Sequence, residues 1–176
     1  KSGTQQRSKA DMSSAENSAE NDGAPGFAMP EPTAEHRWLE RFVGTWTMTG
    51  HDGVGSWVET IRSIGGLWVI AEGEGEMGGC GRHTTVMTIG FDPAKGRFLG
   101  TFLGSMMTHL WIYEGVLDGD RLVLDTVGPD MSSSGGLKRF QDIIELMPDG
   151  SRRLTSLIET DDGTWKTFME AAYSRA

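Results

Sequence analysis

Residues 121–160 read RLVLDTVGPD MSSSGGLKRF QDIIELMPDG SRRLTSLIET, and apolar residues recur at alternate positions within this stretch. Leu122 and Leu124 lie on one side of residues 121–127, and the same alternation recurs in residues 152–160. A period of two predicts β-strands with one buried face. Residues 148–150, Pro-Asp-Gly, are of the types that form tight turns. The stretch therefore predicts antiparallel strands joined by hairpins.

The same pattern extends over most of the chain. From residue 45 onward, short runs with a period of two alternate with turn dipeptides such as Asp52-Gly53 and Asp118-Gly119. These connections are too short for crossover helices, so neighbouring strands are expected to pair antiparallel. The predicted strands lie near residues 45–50, 57–64, 67–76, 83–91, 97–104, 108–117, 121–127, 137–146, 152–160 and 165–173.

A meander of this length removes its two edge strands most simply by closing on itself. We therefore predict an all-β fold, a single antiparallel up-and-down β-barrel of about ten strands.

A short helix is predicted before the first strand. Trp38 with Phe42 and Leu39 with Val43 are spaced four residues apart, which places them on one helical stripe. Gly44 follows the stripe, at a position where glycine commonly ends a helix. Because the stripe is apolar and the helix is short, we expect the helix to cover one end of the barrel.

The composition indicates one domain with a polar tail. The chain has 176 residues, a length that suits one ordinary domain. Residues 1–30 contain no Val, Ile, Leu, Trp or Tyr, so they cannot bury enough apolar surface to offset the entropy of ordering. We therefore predict a disordered tail over residues 1–30 and a barrel domain over residues 31–176.

The charge balance argues against two classes of partner. Lys and Arg total 16 against 25 Asp and Glu, giving a net charge of −9, which disfavours binding of nucleic acid or anionic membranes. No apolar run approaches the roughly 18 residues of a membrane-spanning helix. We expect no nucleic-acid partner, no membrane partner and a cytoplasmic protein, with a processed, secreted form as the alternative. The single cysteine, Cys80, excludes an internal disulfide.

No motif assigns a cofactor or a catalytic group. Residues 73–78, GEGEMG, match the dinucleotide-binding pattern G-x-G-x-x-G, but the next run predicts a strand where that pattern needs a helix. A glycine-rich hairpin at the barrel mouth is the favoured interpretation. The four histidines lack metal-binding spacing, and no nucleophile elbow occurs. We therefore predict no cofactor and no metal, and we assign no catalytic residue.

Several polar residues are predicted to enter the barrel. Asp142 lies between Phe140 and Ile144 on an apolar face, where an unpaired carboxylate is costly. It therefore needs water or a partner inside the barrel, and Arg62 and a protonated His109 are the candidate counter-charges.

One strand carries a polar and aromatic stripe in which His109, Trp111 and Tyr113 alternate, and we favour an inward orientation for it. The complete set of candidate ligand-binding residues is Trp46, Arg62, Met87, His109, Trp111, Tyr113 and Asp142.

Gly44-Thr45-Trp46, directly after the predicted helix, resembles the Gly-x-Trp signature of lipocalins and their calycin relatives. Longer segments resemble a bacterial family that is catalogued as a domain of unknown function and placed with the calycin-like barrels. These segments are residues 36–46, 65–73, 87–111 and 165–173.

The resemblance covers residues 36–175, and it implies a calycin-like barrel and no established activity. It also implies that Arg175 stacks on the Trp46 indole. Similar barrels include the fatty-acid-binding proteins and the haem-binding nitrobindins.

We expect the barrel to bind a small apolar or amphipathic ligand, because closed barrels of this size enclose space for one. One alternative is an enzyme that uses Asp142 or His109 as a general base. Arg62 or Tyr113 would then stabilise developing negative charge. The other alternative is haem binding, with His109 or His83 as the axial ligand.

Overall fold

The structure is a computed structural model that describes residues 28–49, 56–77, 81–130 and 135–176. The chain divides into two compact units, Lys1–Pro30 and Glu31–Ala176. Every described helix and strand belongs to the second unit. Apart from residues 28–30, the predicted disordered tail lies outside the described residues and stays a prediction.

Ten antiparallel strands form a closed barrel. Strands that are consecutive in sequence are neighbours in the sheet, and β1 pairs with β10 to complete the ring, with Trp46 opposite Arg175. The predicted all-β, up-and-down barrel is therefore confirmed. The strands are β1 (Gly44–Thr49), β2 (Trp57–Ile64), β3 (Trp68–Met77), β4 (Gly81–Asp92), β5 (Arg97–Gly104), β6 (Trp111–Asp118), β7 (Arg121–Pro129), β8 (Leu137–Leu146), β9 (Arg152–Glu159) and β10 (Trp165–Arg175).

The start of β6 differs from the prediction. The alternating pattern placed the strand from residue 108, whereas β6 begins at Trp111. The residues after β5 form a turn, in which the Met107 backbone N–H donates to the Gly104 carbonyl oxygen over 3.1 Å. His109 therefore lies in the connection before β6 and not within the strand.

The single described helix, α1, spans Ala34–Glu40 and precedes β1. Its Trp38 is buried, as is Phe42 just beyond the helix, and both belong to the core cluster of the barrel. His36 is also buried, and its Nε2 lies 3.0 Å from the carbonyl oxygen of Phe91 on β4. The helix thus closes one end of the barrel, as predicted.

Trp46 joins this helix to the barrel. Its indole is completely buried, and the ring N–H donates to the Phe42 carbonyl oxygen over 2.7 Å. The Arg175 guanidinium lies 4.4 Å from the indole centroid, which confirms the stacking implied by the resemblance. Arg175 also donates to the carbonyl oxygens of Arg41 and Val43, the latter over 3.0 Å. One arginine therefore links the last strand, the first strand and the end of the helix segment.

Glycines inside the barrel make room for tryptophan rings. A Cβ atom on Gly73 would lie 2.6 Å from the Trp57 indole nitrogen, and one on Gly75 would lie 2.6 Å from the same ring. A Cβ atom on Gly128 would similarly lie 2.1 Å from the Trp111 ring. Gly73 and Gly75 lie within β3, so the favoured interpretation of residues 73–78 as a hairpin is wrong for these two glycines.

Candidate functional site

The pairing register shows which side chains enter the barrel. Asp142 on β8 lies opposite Leu124 on β7 and Ser156 on β9, and both of these neighbours are almost completely buried. Asp142 therefore faces inward, as predicted. Glu145, three residues later, faces outward and pairs with Arg153 over 2.8 Å.

Two hydroxyl groups bind the Asp142 carboxylate. The Tyr113 hydroxyl donates to Oδ2 over 2.7 Å, and the Ser156 hydroxyl donates to Oδ1. Tyr113 and Ser156 are themselves buried, with 3% and 2% of their surface exposed. We call these three residues the Asp142 cluster.

Burial determines the protonation behaviour of the cluster. Removal of Asp142 from water raises its pKa above the usual range, although the hydrogen bonds from Ser156 and Tyr113 oppose this shift. Burial, with the neighbouring Asp142 charge, raises the pKa of Tyr113 as well. Tyr113 therefore keeps its proton at neutral pH and remains a donor to Asp142.

The predicted counter-charge for Asp142 is wrong. Arg62 lies on the outer face of β2, where its side chain is 56% exposed and its Nε is 3.7 Å from Glu72. The burial pattern of β2 turns Trp57 and Ile61 inward, which places the even-numbered residues of the strand outside. The partners of Asp142 are hydroxyls, and no arginine fills this role among the described residues.

A buried ion pair lies nearer to the helix end of the barrel. Arg152 on β9 pairs with Glu59 on β2, and their side chains are only 7% and 13% exposed. The Arg152 guanidinium lies 4.0 Å from the Tyr173 ring centroid and 5.1 Å from that of Trp46. Its Nε is buried and has no hydrogen-bond partner within the described ranges.

Tyr173 is influenced by the charges of both the ion pair and Asp142. Burial is the main cause that raises the pKa of Tyr173, and the charges of Glu59 and Asp142 add to it, while Arg152 opposes it. Its hydroxyl makes no hydrogen bond to the part of the chain that the structure describes. It remains a neutral polar group facing the interior.

Several inward-facing side chains of the barrel are incompletely buried. Six side chains face inward by their pairing register and yet are only half-buried. They come from β1, β4, β5, β8 and β9, on several sides of the barrel. These residues are Met48, Met87, Phe102, Asp142, Leu154 and Ile158.

A separate small void lies near the helix end. Its volume is about 20 Å³, which has room for a single water molecule. The ion pair of Glu59 and Arg152 borders it, together with apolar residues that include Ile61 and Met87. A shallow depression of about 330 Å³ lies on the outer wall beside Ile112, away from the cluster.

Comparison with known proteins identifies the family. The model of the family described as "Protein of unknown function (DUF1579)" matches residues 31–175, the whole of the barrel and its helix. The chain belongs to this family. No curated protein matches it. No helix of the described DUF1579 chain is long and apolar enough to cross a membrane.

Besides Asp142 and Trp46, three of the candidate residues of the DUF1579 barrel face its interior. Trp111 and Tyr113 are buried and face inward from β6, as the favoured orientation predicted, and Met87 faces inward from β4. Trp46 also faces inward, but the helix segment and Arg175 cover its ring. Trp46 therefore supports the fold and offers no surface to a ligand.

Both candidate histidines lie at the end of the barrel opposite α1. His109 contacts the edge of Trp111 at 5.0 Å between centroids, and its Nε2 lies 3.3 Å from the Val127 carbonyl oxygen. His83 Nδ1 lies 3.4 Å from the Ser105 hydroxyl. Neither histidine contacts Asp142. In the described part of this DUF1579 chain, no three His, Cys, Asp or Glu residues form a metal-binding group.

Sequence reasoning missed Ser156, Tyr173 and the pair of Glu59 and Arg152. The signal for three of these residues was present. Ser156 and Arg152 alternate with Leu154 on one face of β9. Glu59 similarly lies between Trp57 and Ile61 on β2. A polar residue that lies between apolar residues on the inward face of a strand is a candidate partner for another such residue inside the barrel.

Proposed function

We propose that the barrel binds a small amphipathic molecule in its interior. The apolar part of the ligand would lie against side chains such as Met87, Phe102 and Leu154, and its polar end would meet the Asp142 cluster. The observation that carries the proposal is the incomplete burial of six inward-facing side chains, Asp142 among them. Close packing of the kind usual in protein interiors would leave fewer of these positions incompletely buried.

The character of the walls supports an amphipathic ligand. Most of the half-buried inward residues are apolar, and a few polar groups converge among them, which is the usual composition of small-molecule sites. Met48 and Met87 add side chains that adapt to irregular shapes. The resemblance to calycin-like barrels, which include proteins that bind small ligands, points in the same direction.

The size of the barrel also favours a single small ligand. Eight-stranded barrels already hold one small molecule, and ten strands give a wider interior. The enclosed void of about 20 Å³ is too small for such a ligand. The ligand would therefore lie among the half-buried inward side chains that include Asp142, and it would enter from the end opposite α1, because α1 closes the other end.

The proposal is tested with the uncharged fluorescent probe N-phenyl-1-naphthylamine, whose emission rises in apolar surroundings. We expect saturable binding to the wild-type protein. Leu154→Trp should weaken this binding at least about tenfold, because the indole would fill the interior space. Leu157→Trp is the matched control, since Leu157 lies opposite Gln141 on the outer face of the same strand.

Circular dichroism melting of both variants shows whether each is folded. Unchanged probe binding in a folded Leu154→Trp protein would contradict the proposal, as would the absence of saturable binding to the wild-type chain. Loss of binding in the Leu157→Trp control alone would place the probe on the outer wall.

A further inference from the structure

The Asp142 carboxylate has no cationic partner in the described part of the chain. Arg152 pairs with Glu59, and Lys138, on the same strand as Asp142, contacts Asp130 and Asp161 over 3.6 and 3.0 Å. No Lys, Arg or His among the described residues forms an ion pair with Asp142. The interior therefore contains one carboxylate more than it has cations to balance.

The hydrogen bonds of the Asp142 cluster leave only acceptors toward the interior. The Tyr113 and Ser156 hydroxyls use their single hydrogens on Asp142. Each carboxylate oxygen has two lone pairs and receives one of these bonds, so each can accept another. A ligand group that approaches the ionised cluster must therefore donate hydrogen bonds.

A chain of aromatic rings begins beside this carboxylate. Trp111 contacts Phe140 at 5.0 Å between centroids, and Phe140 contacts Phe168 at 5.9 Å. Phe140 is two residues from Asp142 on the same inward face of β8. Aromatic ring faces attract cations, and the chain's net charge of −9 favours their approach from solution.

From these three observations we infer that the ligand is a small amphipathic amine, whose ammonium group pairs with Asp142 while its apolar part lies along the aromatic wall. The inference rests on the proposed function and specifies the polar end of the ligand. An ammonium supplies three donors and one positive charge, which match the free acceptors and the unbalanced carboxylate. A carboxylate or phosphate ligand would instead be repelled by Asp142.

The test compares three competitors of equal chain length: octylamine, octanol and octanoate. For each competitor, we measure the concentration needed to displace N-phenyl-1-naphthylamine from the wild-type protein at pH 7.5 and low salt. We expect octylamine to act at concentrations at least about tenfold lower than octanol, and octanoate to be the weakest. Isothermal titration calorimetry with octylamine provides a direct measurement that does not depend on the fluorescent probe.

Asp142→Asn should reduce the preference for octylamine over octanol to about threefold or less, measured as the ratio of the two competitors' displacing concentrations on the same folded variant. Asp125→Asn is the matched control, because it removes one negative charge from the outer face, where Asp125 accepts from Gln141 over 3.0 Å. It should keep the wild-type preference.

Equal displacement by the three competitors would overturn the amine inference and leave the proposed function standing. Retention of the octylamine preference in a folded Asp142→Asn protein would also overturn it. If neither the probe nor octylamine binds the wild-type protein, the proposed function fails as well. The wild-type comparison decides the amine inference even if the Asp142→Asn protein does not fold.

Discussion

At the scale of single residues, Asp142 combines two opposing effects. Hydroxyl donors from Tyr113 and Ser156 favour its ionised form, and withdrawal from water favours its protonated form. Burial has the larger effect, so the pKa of Asp142 is raised in the folded protein. A cationic group beside Asp142 would lower this pKa, because it would stabilise the ionised carboxylate.

This raised pKa predicts a pH-dependent loss of stability. A carboxyl group whose pKa is higher in the folded than in the unfolded state stabilises the folded protein. This contribution is complete at pH values below the unfolded-state pKa, and it is lost as the pH rises through the folded-state pKa. The wild-type protein should therefore lose stability relative to Asp142→Asn as pH is raised above about 4, the usual pKa of an Asp carboxyl group. Urea unfolding of both proteins, without ligand, measures the difference. A constant or increasing wild-type advantage over this range would contradict the prediction.

At the scale of elements, β2 and β9 face each other across the barrel through Glu59 and Arg152. The two side chains form a buried ion pair, and Tyr173 and Trp46 lie against the guanidinium. Removing two charges from water costs free energy that the pair only partly recovers. Replacing only one member of the pair should therefore lower the free energy of unfolding more than replacing both members.

Arg152→Met should lower the free energy of unfolding by about 3–5 kcal/mol, because it leaves Glu59 buried without its cation. The double variant Glu59→Met/Arg152→Met should recover at least half of that loss. Arg153→Met, on the outer face of the same strand, should change stability by less than about 1 kcal/mol. Denaturant unfolding of the three proteins checks this order. A double variant no more stable than Arg152→Met would show that the pair is not the source of the effect.

The sequence predicted an element's inward face well where apolar and polar residues alternate cleanly. In β7 and β9, Leu122, Leu124 and Leu154 all face inward as the pattern indicated. In β2 the pattern failed, because Val58 and Ile64 are apolar on the exposed face and suggested that Arg62 pointed inward. Alternation alone does not distinguish two faces that both carry apolar residues.

The candidate site was less predictable than the fold because its contacts join distant strands. Tyr113 and Asp142 are 29 residues apart, and Glu59 and Arg152 are 93 residues apart. Only the register of the closed barrel brings these pairs together. The sequence therefore predicted the inward position of Asp142 but not its hydroxyl partners.

At the scale of the whole molecule, closure of the barrel and attachment of the helix depend on the same region. The pairing of β1 with β10 completes the ring, and α1 enters β1 through the residues that precede Trp46. Arg175 lies at the end of β10 and donates to carbonyl oxygens of Arg41 and Val43. These carbonyls follow the helix and are not used by its own backbone hydrogen bonds. The arginine thus secures the helix end of the barrel, opposite the proposed entrance.

Arg175→Ala should therefore reduce the free energy of unfolding by about 1.5–3 kcal/mol, the range for hydrogen bonds from a charged donor, although Arg175 is an exposed residue. The loss combines the carbonyl contacts with the stacking on Trp46 at 4.4 Å. Arg139→Ala is the control, since Arg139 is 60% exposed, pairs with Glu159 and lies over the Trp165 ring, but touches no helix carbonyl. In denaturant unfolding, the free energy of unfolding of Arg175→Ala should be well below that of Arg139→Ala. Binding of N-phenyl-1-naphthylamine should be unchanged in the folded Arg175→Ala protein, because the proposed entrance lies at the other end of the barrel. Equal stability of the two variants would show that Arg175 contributes no more than an ordinary surface arginine.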